Sequence, residues 1–262
     1  MKIISIFDFQ QKDENWDAML YMWVKECIKY KLDICIYYSN YFPQKIKTLF
    51  PSLKFIKHEV FDDKSVLTRL FNKGYDEYSS NILNCWYKKS EILISEKEPF
   101  LYLDIDCVPF YKLDDLLEIT KNMQICAVDN KKINVFPEPV ESIQAGMILC
   151  NDNSLFKRNF FLSLLDSSFE KLSAPSLIPF DEITLTEYLN KENINYKHKD
   201  IDYRYNALSF YTSYNTYNGL KLMQVHDDGW FADSYFMHYC GTKPWQKGCL
   251  VYNMYRKEYL RL

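Results

Sequence analysis

Glycine is scarce in this sequence, with six residues among 262. None of the six belongs to a G-x-G-x-x-G or G-x-x-x-x-G-K-[ST] pattern, the two glycine-rich loops that cradle phosphates with backbone N–H groups. A nucleotide bound to this chain therefore needs a metal ion or basic side chains to neutralise its phosphates.

Three further absences narrow the class of protein. The net charge is −3 and no basic tract occurs, which argues against a nucleic-acid partner. The eight cysteines form no C-x-x-C pair and mostly lie in apolar runs, which predicts small buried side chains in a reducing compartment. The apolar runs 3–7 and 18–24 are too short for a signal peptide or a membrane span. We therefore expect a cytoplasmic protein.

Apolar and aromatic residues are abundant, with 22 Tyr, 18 Phe and 48% hydrophobic residues, enough for the core of one large domain. Strand patterns alternate with amphipathic helices, which predicts an α/β fold with a mainly parallel, helix-covered sheet. Ligands of such sheets bind outside the carboxyl ends of the strands. The predicted strands are 2–9, 32–38, 53–60, 100–103, 123–128 and 142–150; the later predicted helices are 113–120, 155–165 and 180–189.

The apolar strand 100–103 is followed by two carboxylates, Asp104 and Asp106. Alternate residues of a strand point the same way, so the two side chains can converge on one point. Their mutual repulsion favours a cation between them, and oxygen ligands suit Mg²⁺ or Mn²⁺ with positions open for a substrate's phosphates. The alternative is a strand end with two solvated aspartates, and the tripeptide alone does not decide between them.

The segment 237–245, MHYCGTKPW, is the second concentration of functional residue types. His238 suits borderline metals, and together with two aspartates it would favour Mn²⁺ over Mg²⁺. Gly241 permits close approach of the backbone to a phosphate, and Lys243 offers a positive charge. Taken alone, such a histidine is more often structural than a ligand.

Five short motifs occur in one order along the chain. They are LYLDID at 101–106, QAGMILCN at 144–151, FDE at 180–182, DYRYN at 202–206 and HYCGTKPW at 238–245. In this combination the chain resembles glycosyltransferase family 8, the retaining enzymes of the glycogenin and lipooligosaccharide galactosyltransferase type, which have the GT-A fold. Two positions depart from the family motifs: Glu182 stands in place of Gln and Gln144 in place of Asn.

The resemblance implies a metal-dependent, retaining transfer of a hexose from a nucleotide sugar, a UDP-sugar, to a hydroxyl of a glycan, lipid-linked or protein acceptor. It implies that Asp104, Asp106 and His238 bind the metal, Mn²⁺ or else Mg²⁺, and that Asp104 also contacts the ribose. The other implied donor contacts are Gly241 and Lys243 at the phosphates, Ala145 and Gly146 at the sugar, Lys88 near the donor, and Phe7 and Asp8 near the base.

Asp181 and Glu182 are implied to lie by the reacting carbon as the catalytic candidates, although Asp181 can also cap its helix. An inverting transferase or a sugar-nucleotide hydrolase on the same fold remains open. So does a non-catalytic module that binds nucleotide sugars.

We expect a single GT-A domain over 1–262, with a nucleotide-sugar-binding half at 1–107 and an acceptor and catalytic half at 108–250. An aromatic and basic tail follows at 251–262. This tail allows either peripheral contact with a membrane surface or, more plainly, a terminal helix that packs on the domain.

Overall fold

A six-stranded sheet lies at the centre of the protein, seen here in a computed structural model. The structure describes residues 1–9, 11–58, 63–129, 142–174, 179–201, 203–208, 216–217, 220–221, 235–239, 243–247 and 249–262. In the first half the elements are β1 (Lys2–Ile6), α1 (Glu14–Cys27), β2 (Asp33–Tyr38), α2 (Gln44–Leu49), β3 (Lys54–Lys57), α3 (Asp63–Asn72), α4 (Glu77–Ser95), β4 (Phe100–Leu103) and β5 (Cys107–Pro109).

The second half supplies the remaining strands and helices. Its helices are α5 (Leu113–Thr120), α6 (Arg158–Glu170), α7 (Phe180–Lys191), α8 (Pro244–Lys247) and α9 (Leu250–Arg261). Its strands are β6 (Ile125–Asp129), β7 (Ile143–Cys150), β8 (Ala207–Leu208), β9 (Thr216–Tyr217), β10 (Leu220–Lys221) and β11 (Phe236–His238).

The large sheet has the strand order β3-β2-β1-β4-β7-β6. Strands β3, β2, β1 and β4 are parallel, and β7 runs antiparallel between β4 and β6. Alternate residues of β4 enter two different cores: Leu101 belongs to the core that includes residues of α1 and α9, while Phe100 and Tyr102 belong to the core that includes residues of α4, α6 and α7. The predicted α/β class, with a mainly parallel sheet covered by helices, is confirmed.

Most predicted elements appear with boundaries shifted by a few residues. Strand β1 ends at Ile6 rather than at residue 9, and α1 begins after Asp13, whose carboxylate accepts a hydrogen bond from the Asn15 N–H at 2.8 Å. The helix predicted over 155–165 is instead a short turn at Asn153–Leu155 followed by α6, because Asp152 caps that turn through the Ser154 N–H. In the described part of the chain the cysteines are free thiols, and all but Cys85 are buried.

The C-terminal tail forms α9, which packs against α1 as the plainer interpretation predicted. The Tyr252 hydroxyl donates to the Asn15 carbonyl at 3.0 Å, and the Tyr21 hydroxyl donates to Glu258 at 2.7 Å. Among the helices of the described ranges, none is long and apolar enough to cross a membrane.

Candidate metal and donor site

The two aspartates lie in a tight turn between β4 and β5. The Asp104 N–H donates to the Gly146 carbonyl on β7 at 2.9 Å, and the Cys107 N–H closes the turn onto the Asp104 carbonyl at 2.8 Å. Strand β11 runs antiparallel to β5 with His238 opposite Cys107, and the Tyr239 N–H donates to the Asp106 carbonyl at 2.7 Å. This pairing brings the imidazole from near the C-terminus to the two carboxylates.

One ligand atom from each of the three side chains lies within 4.8 Å of the others. The His238 Nε2 atom is 3.5 Å from Asp106 Oδ1 and 3.8 Å from Asp104 Oδ2. Asp106 and His238 are buried, and Asp104 is partly exposed. The three side chains predicted as metal ligands therefore face one common point. We call Asp104, Asp106 and His238 the metal group.

The orientation of the imidazole is fixed from its other side. His238 Nδ1 lies 2.8 Å from Asn206 Oδ1, and Asn206 Nδ2 donates to the Gln144 carbonyl at 3.4 Å. With Asn206 Oδ1 as acceptor, Nδ1 carries the hydrogen and the lone pair of Nε2 faces the carboxylates. Gly146 leaves the space that the ring occupies, because a Cβ there would lie 2.4 Å from His238 Cε1.

Lys243 supplies a positive charge at the edge of this group. Its ammonium forms an ion pair with Asp106 Oδ2 and donates to the Tyr239 carbonyl at 3.1 Å. Burial alone would raise the pKa of Asp106, but the positive charge of Lys243 beside it holds that pKa well below its usual range. Asp106 therefore stays a carboxylate and an available ligand.

A buried lysine connects the metal group to the catalytic candidates. Lys89 on α4 lies 2.9 Å from Asp181 Oδ2 and 3.6 Å from Asp104 Oδ1, and it donates to the Ala145 carbonyl at 3.3 Å. Burial would lower the pKa of Lys89, but the carboxylates of Asp104 and Asp181 outweigh it and raise that pKa above its usual value. The Tyr102 hydroxyl also donates to Asp104.

Glu182 lies in the first turn of α7, where one of its carboxylate oxygens accepts a hydrogen bond from the Ala145 N–H at 2.9 Å. Burial raises the pKa of Glu182 to about 8, and the negative charge of Asp181 adds to the shift, while the bond from Ala145 opposes it. Most of this carboxyl is therefore protonated near neutral pH.

Asp8, predicted near the base, and Lys88, predicted near the donor, form a second polar cluster at the ends of β1 and β2. Asp8 pairs with Lys88 at 2.6 Å and also accepts a hydrogen bond from the Ser39 hydroxyl. The ring of Phe7 is 1% exposed and packs against Phe9 in the core. Phe7 as a whole residue therefore offers almost no surface to a base.

Among the predicted site residues, the structure brings together those expected at the metal, Lys243, and the pair at the start of α7. Gly241 lies outside the described residues. Sequence reasoning missed Lys89, Asn206 and Tyr102. Asn206 ends the DYRYN motif and Lys89 adjoins Lys88, so both carried a signal, but neither position indicated a contact with the metal group.

The donor set fits a divalent cation. Two hard carboxylates and one imidazole are a mixed shell that suits Mn²⁺. The hydrogen bond from His238 to Asn206 is the kind of outer contact that metal-binding histidines make.

No protein-family model and no curated protein matches the sequence. Solved structures do match in fold. The galactosyltransferase LgtC, in complex with donor and acceptor sugar analogs, has a TM-score of 0.57 at 14% identity, over 100% of this chain and 96% of that one. The chain has the fold of a glycosyltransferase.

Mouse xyloside xylosyltransferase 1 in its apo form has a TM-score of 0.54 at 12% identity, over 91% of this chain and 97% of that one. The glycosyltransferase GlyE of Streptococcus pneumoniae TIGR4 has a TM-score of 0.50 at 14% identity, and the chain spans 63% of its length. The GT-A fold that the sequence resemblance implied is thus confirmed.

Proposed function

We propose that the protein is a metal-dependent, retaining glycosyltransferase that moves a hexose from a UDP-sugar to an acceptor hydroxyl. The observation that carries this proposal is the convergence of Asp104, Asp106 and His238 on one point, within a glycosyltransferase fold. The fold likeness to a galactosyltransferase solved with donor and acceptor sugar analogs supports transfer between a sugar donor and an acceptor.

The three ligands would hold Mn²⁺, or Mg²⁺, which when bound stabilises the negative charge of a departing diphosphate. The Lys243 ammonium lies beside Asp106 and would turn to a phosphate oxygen when the donor binds. Asp104 would contact the ribose, Gly241 would lie by the phosphates, and Asp8 with Lys88 would lie on the side of the base.

The sugar would sit between β7 and the start of α7. Ala145 and Gly146 would line it, and the carboxyl groups of Asp181 and Glu182 would lie near the reacting carbon, where positive charge develops. Lys89 holds Asp181 in place by their contact at 2.9 Å. We propose it as a further residue of the donor side, next to the predicted Lys88.

The acceptor is a hydroxyl of a glycan, a glycolipid or a protein. We propose that residues 1–107 bind the donor and that residues 108–250 bind the acceptor and contain the catalytic groups. We also propose a cytoplasmic location. Contact of 251–262 with a membrane surface stays a prediction.

The test of the proposed site is Asp106→Asn with Asp115→Asn as the matched control. Asp115 is a half-exposed carboxylate that pairs only at the surface with Lys112, at 2.7 Å. We expect Asp106→Asn to abolish Mn²⁺-dependent UDP binding in isothermal titration, while Asp115→Asn binds like the wild type. Equal UDP binding by the two variants would refute the metal site.

Transfer is tested separately, by incubation with UDP-hexoses and acceptors and NMR of the anomeric product. Retention of the donor's anomeric configuration is expected. An inverted product, or free hexose alone, would favour the inverting transferase or the hydrolase.

A further inference from the structure

A cavity of about 570 Å³ lies between α1, α9 and the chain that follows β5, apart from the metal group. This volume lies in the range of sites that bind small molecules. The cavity walls combine aromatic rings, aliphatic side chains and charged groups: Phe110, Tyr111, Tyr255, Val251, Met254 and the pairs formed by Lys25, Lys29, Glu26 and Glu258.

The charged groups of the cavity cancel one another and are held in place. Lys25 pairs with Glu258 at 3.0 Å, and Lys29 pairs with Glu26. The Tyr255 hydroxyl donates to Glu26, and the Tyr21 hydroxyl donates to Glu258 at 2.7 Å. A site built in this way has no net charge to attract an ion, but it offers fixed hydrogen-bonding groups beside aromatic faces.

We propose that this cavity is a second saccharide-binding site, which takes a neutral oligosaccharide. A sugar ring presents hydroxyls that both donate and accept hydrogen bonds, and it presents C–H faces that pack on aromatic rings. The walls supply the two matching sets of groups. An acyl chain would pack on the aromatic rings, but it would remove water from the ion pairs of Lys25 and Lys29 without offering them hydrogen-bond partners.

The position of the cavity suits a long acceptor. Tyr111 follows Asp106 by five residues along β5 and its extension. At the rise per residue of a strand, the Cα atoms of these two residues are at most about 17 Å apart. The backbone of this segment is fixed, because the N–H groups of Phe110 and Tyr111 both donate to the Tyr235 carbonyl at 3.0 Å. A glycan held here would keep its remote part bound at a constant distance from the donor site. This last inference, unlike saccharide binding itself, rests on the proposed function.

The binding test uses the full chain without metal or nucleotide and short malto-, xylo- and galacto-oligosaccharides as probes. Tyr111 is 58% exposed and Met254 is 71% exposed, so their replacement by Ala removes little from the folded core. Tyr78 on α4 is 73% exposed and lies outside the cavity, which makes Tyr78→Ala the matched control.

We expect saturation-transfer NMR and isothermal titration to detect binding of at least one probe class by the wild type. Tyr111→Ala should weaken it about tenfold, as expected for the loss of one aromatic contact. Met254→Ala should also weaken it, and Tyr78→Ala should not. The Asp106→Asn variant should bind the probe unchanged, so failure of the donor site and failure of the cavity can be told apart.

Two outcomes would overturn the proposal. The first is the absence of saccharide binding by the folded wild type, or binding that Tyr111→Ala and Met254→Ala leave intact. The second is binding to phosphatidylcholine vesicles, with or without phosphatidylglycerol, that the same two variants abolish. That result would assign the surface to a membrane.

Discussion

Gly146→Ala tests whether the imidazole of His238 is a metal ligand. The added Cβ would lie 2.4 Å from His238 Cε1, 2.5 Å from His238 Nδ1 and 3.1 Å from Asn206 Oδ1, so the ring has to move. Overpacking of this kind costs about 1–3 kcal/mol of the free energy of unfolding. Displacement of the ring should weaken Mn²⁺ binding by about 10- to 100-fold, the range for disturbed outer contacts of a metal site.

The assay is titration of Mn²⁺ against each variant, with the free ion followed by electron paramagnetic resonance, beside urea unfolding. Gly74→Ala is the control, because Gly74 has φ +86° and the nearest atom to its new Cβ is Ala174 Cβ, at 3.8 Å. That variant should lose about 1–2 kcal/mol of stability through its backbone conformation while it binds Mn²⁺ normally.

Combining Gly146→Ala with His238→Ala tests whether the effect on Mn²⁺ binding passes through the imidazole. In a His238→Ala background the added methyl group of Gly146→Ala meets no ring, so we expect no further loss of Mn²⁺ affinity and a smaller loss of stability. If Gly146→Ala lowers stability but binds Mn²⁺ as tightly as the wild type, the imidazole is not a ligand and the reasoning fails.

Two further predictions concern the charges behind the metal group. Lys89→Met leaves Asp104 and Asp181 without their buried cation and should lower the free energy of unfolding by about 3–5 kcal/mol in urea titrations, with part of the loss recovered by Asp181→Asn. The exposed counterpart Lys112→Met should leave the free energy of unfolding almost unchanged, and equal losses in the two variants would contradict the bridging role of Lys89. Since the pKa of Glu182 is raised from 4.5 to about 8, its stabilising contribution is full below pH 4.5 and is lost as the pH rises through about 8. The unfolding free energy of the wild type minus that of Glu182→Gln should therefore fall between pH 4.5 and about 8. If this difference does not change with pH, the pKa of Glu182 is not raised.

The sequence was sufficient for the sheet and for the position of the aspartates. The continuous apolar run of β4 places Asp104 and Asp106 at the carboxyl end of a central strand, which is where the structure has them. The approach of His238 was not contained in any local pattern. It depends on the pairing of β11 with β5, a contact between segments about 130 residues apart, and only the resemblance between motifs indicated it.

The choice between Lys88 and Lys89 could not be made from the sequence. Neighbouring residues on a helix differ by about 100° in direction. Both lysines are buried side chains of α4, one against Asp8 and the other against Asp104 and Asp181. A hydrophobic pattern reports burial, and here burial is the same for both.

For Gly146 the sequence did not indicate which group approaches the backbone. The resemblance implied that Gly146 lines the donor sugar. In the structure the missing Cβ makes room for the ring of His238. Because the same glycine also accepts the Asp104 N–H through its carbonyl, it fixes two of the three metal-ligand candidates at once.

Glu182, where the resemblance predicts Gln, changes the charge of the site only at alkaline pH. The Ala145 N–H needs an oxygen acceptor, which the amide of the family's Gln and the carboxyl of Glu182 both provide. With a pKa of about 8, most of this carboxyl carries a proton at pH 7 in the metal-free protein, so the group is then as neutral as the amide it replaces. Above pH 8 it becomes an anion beside Asp181, with Lys89 as the nearby cation. The two residues therefore act alike at neutral pH and differ under alkaline conditions, which is where a comparison of Glu182 with Gln is most informative.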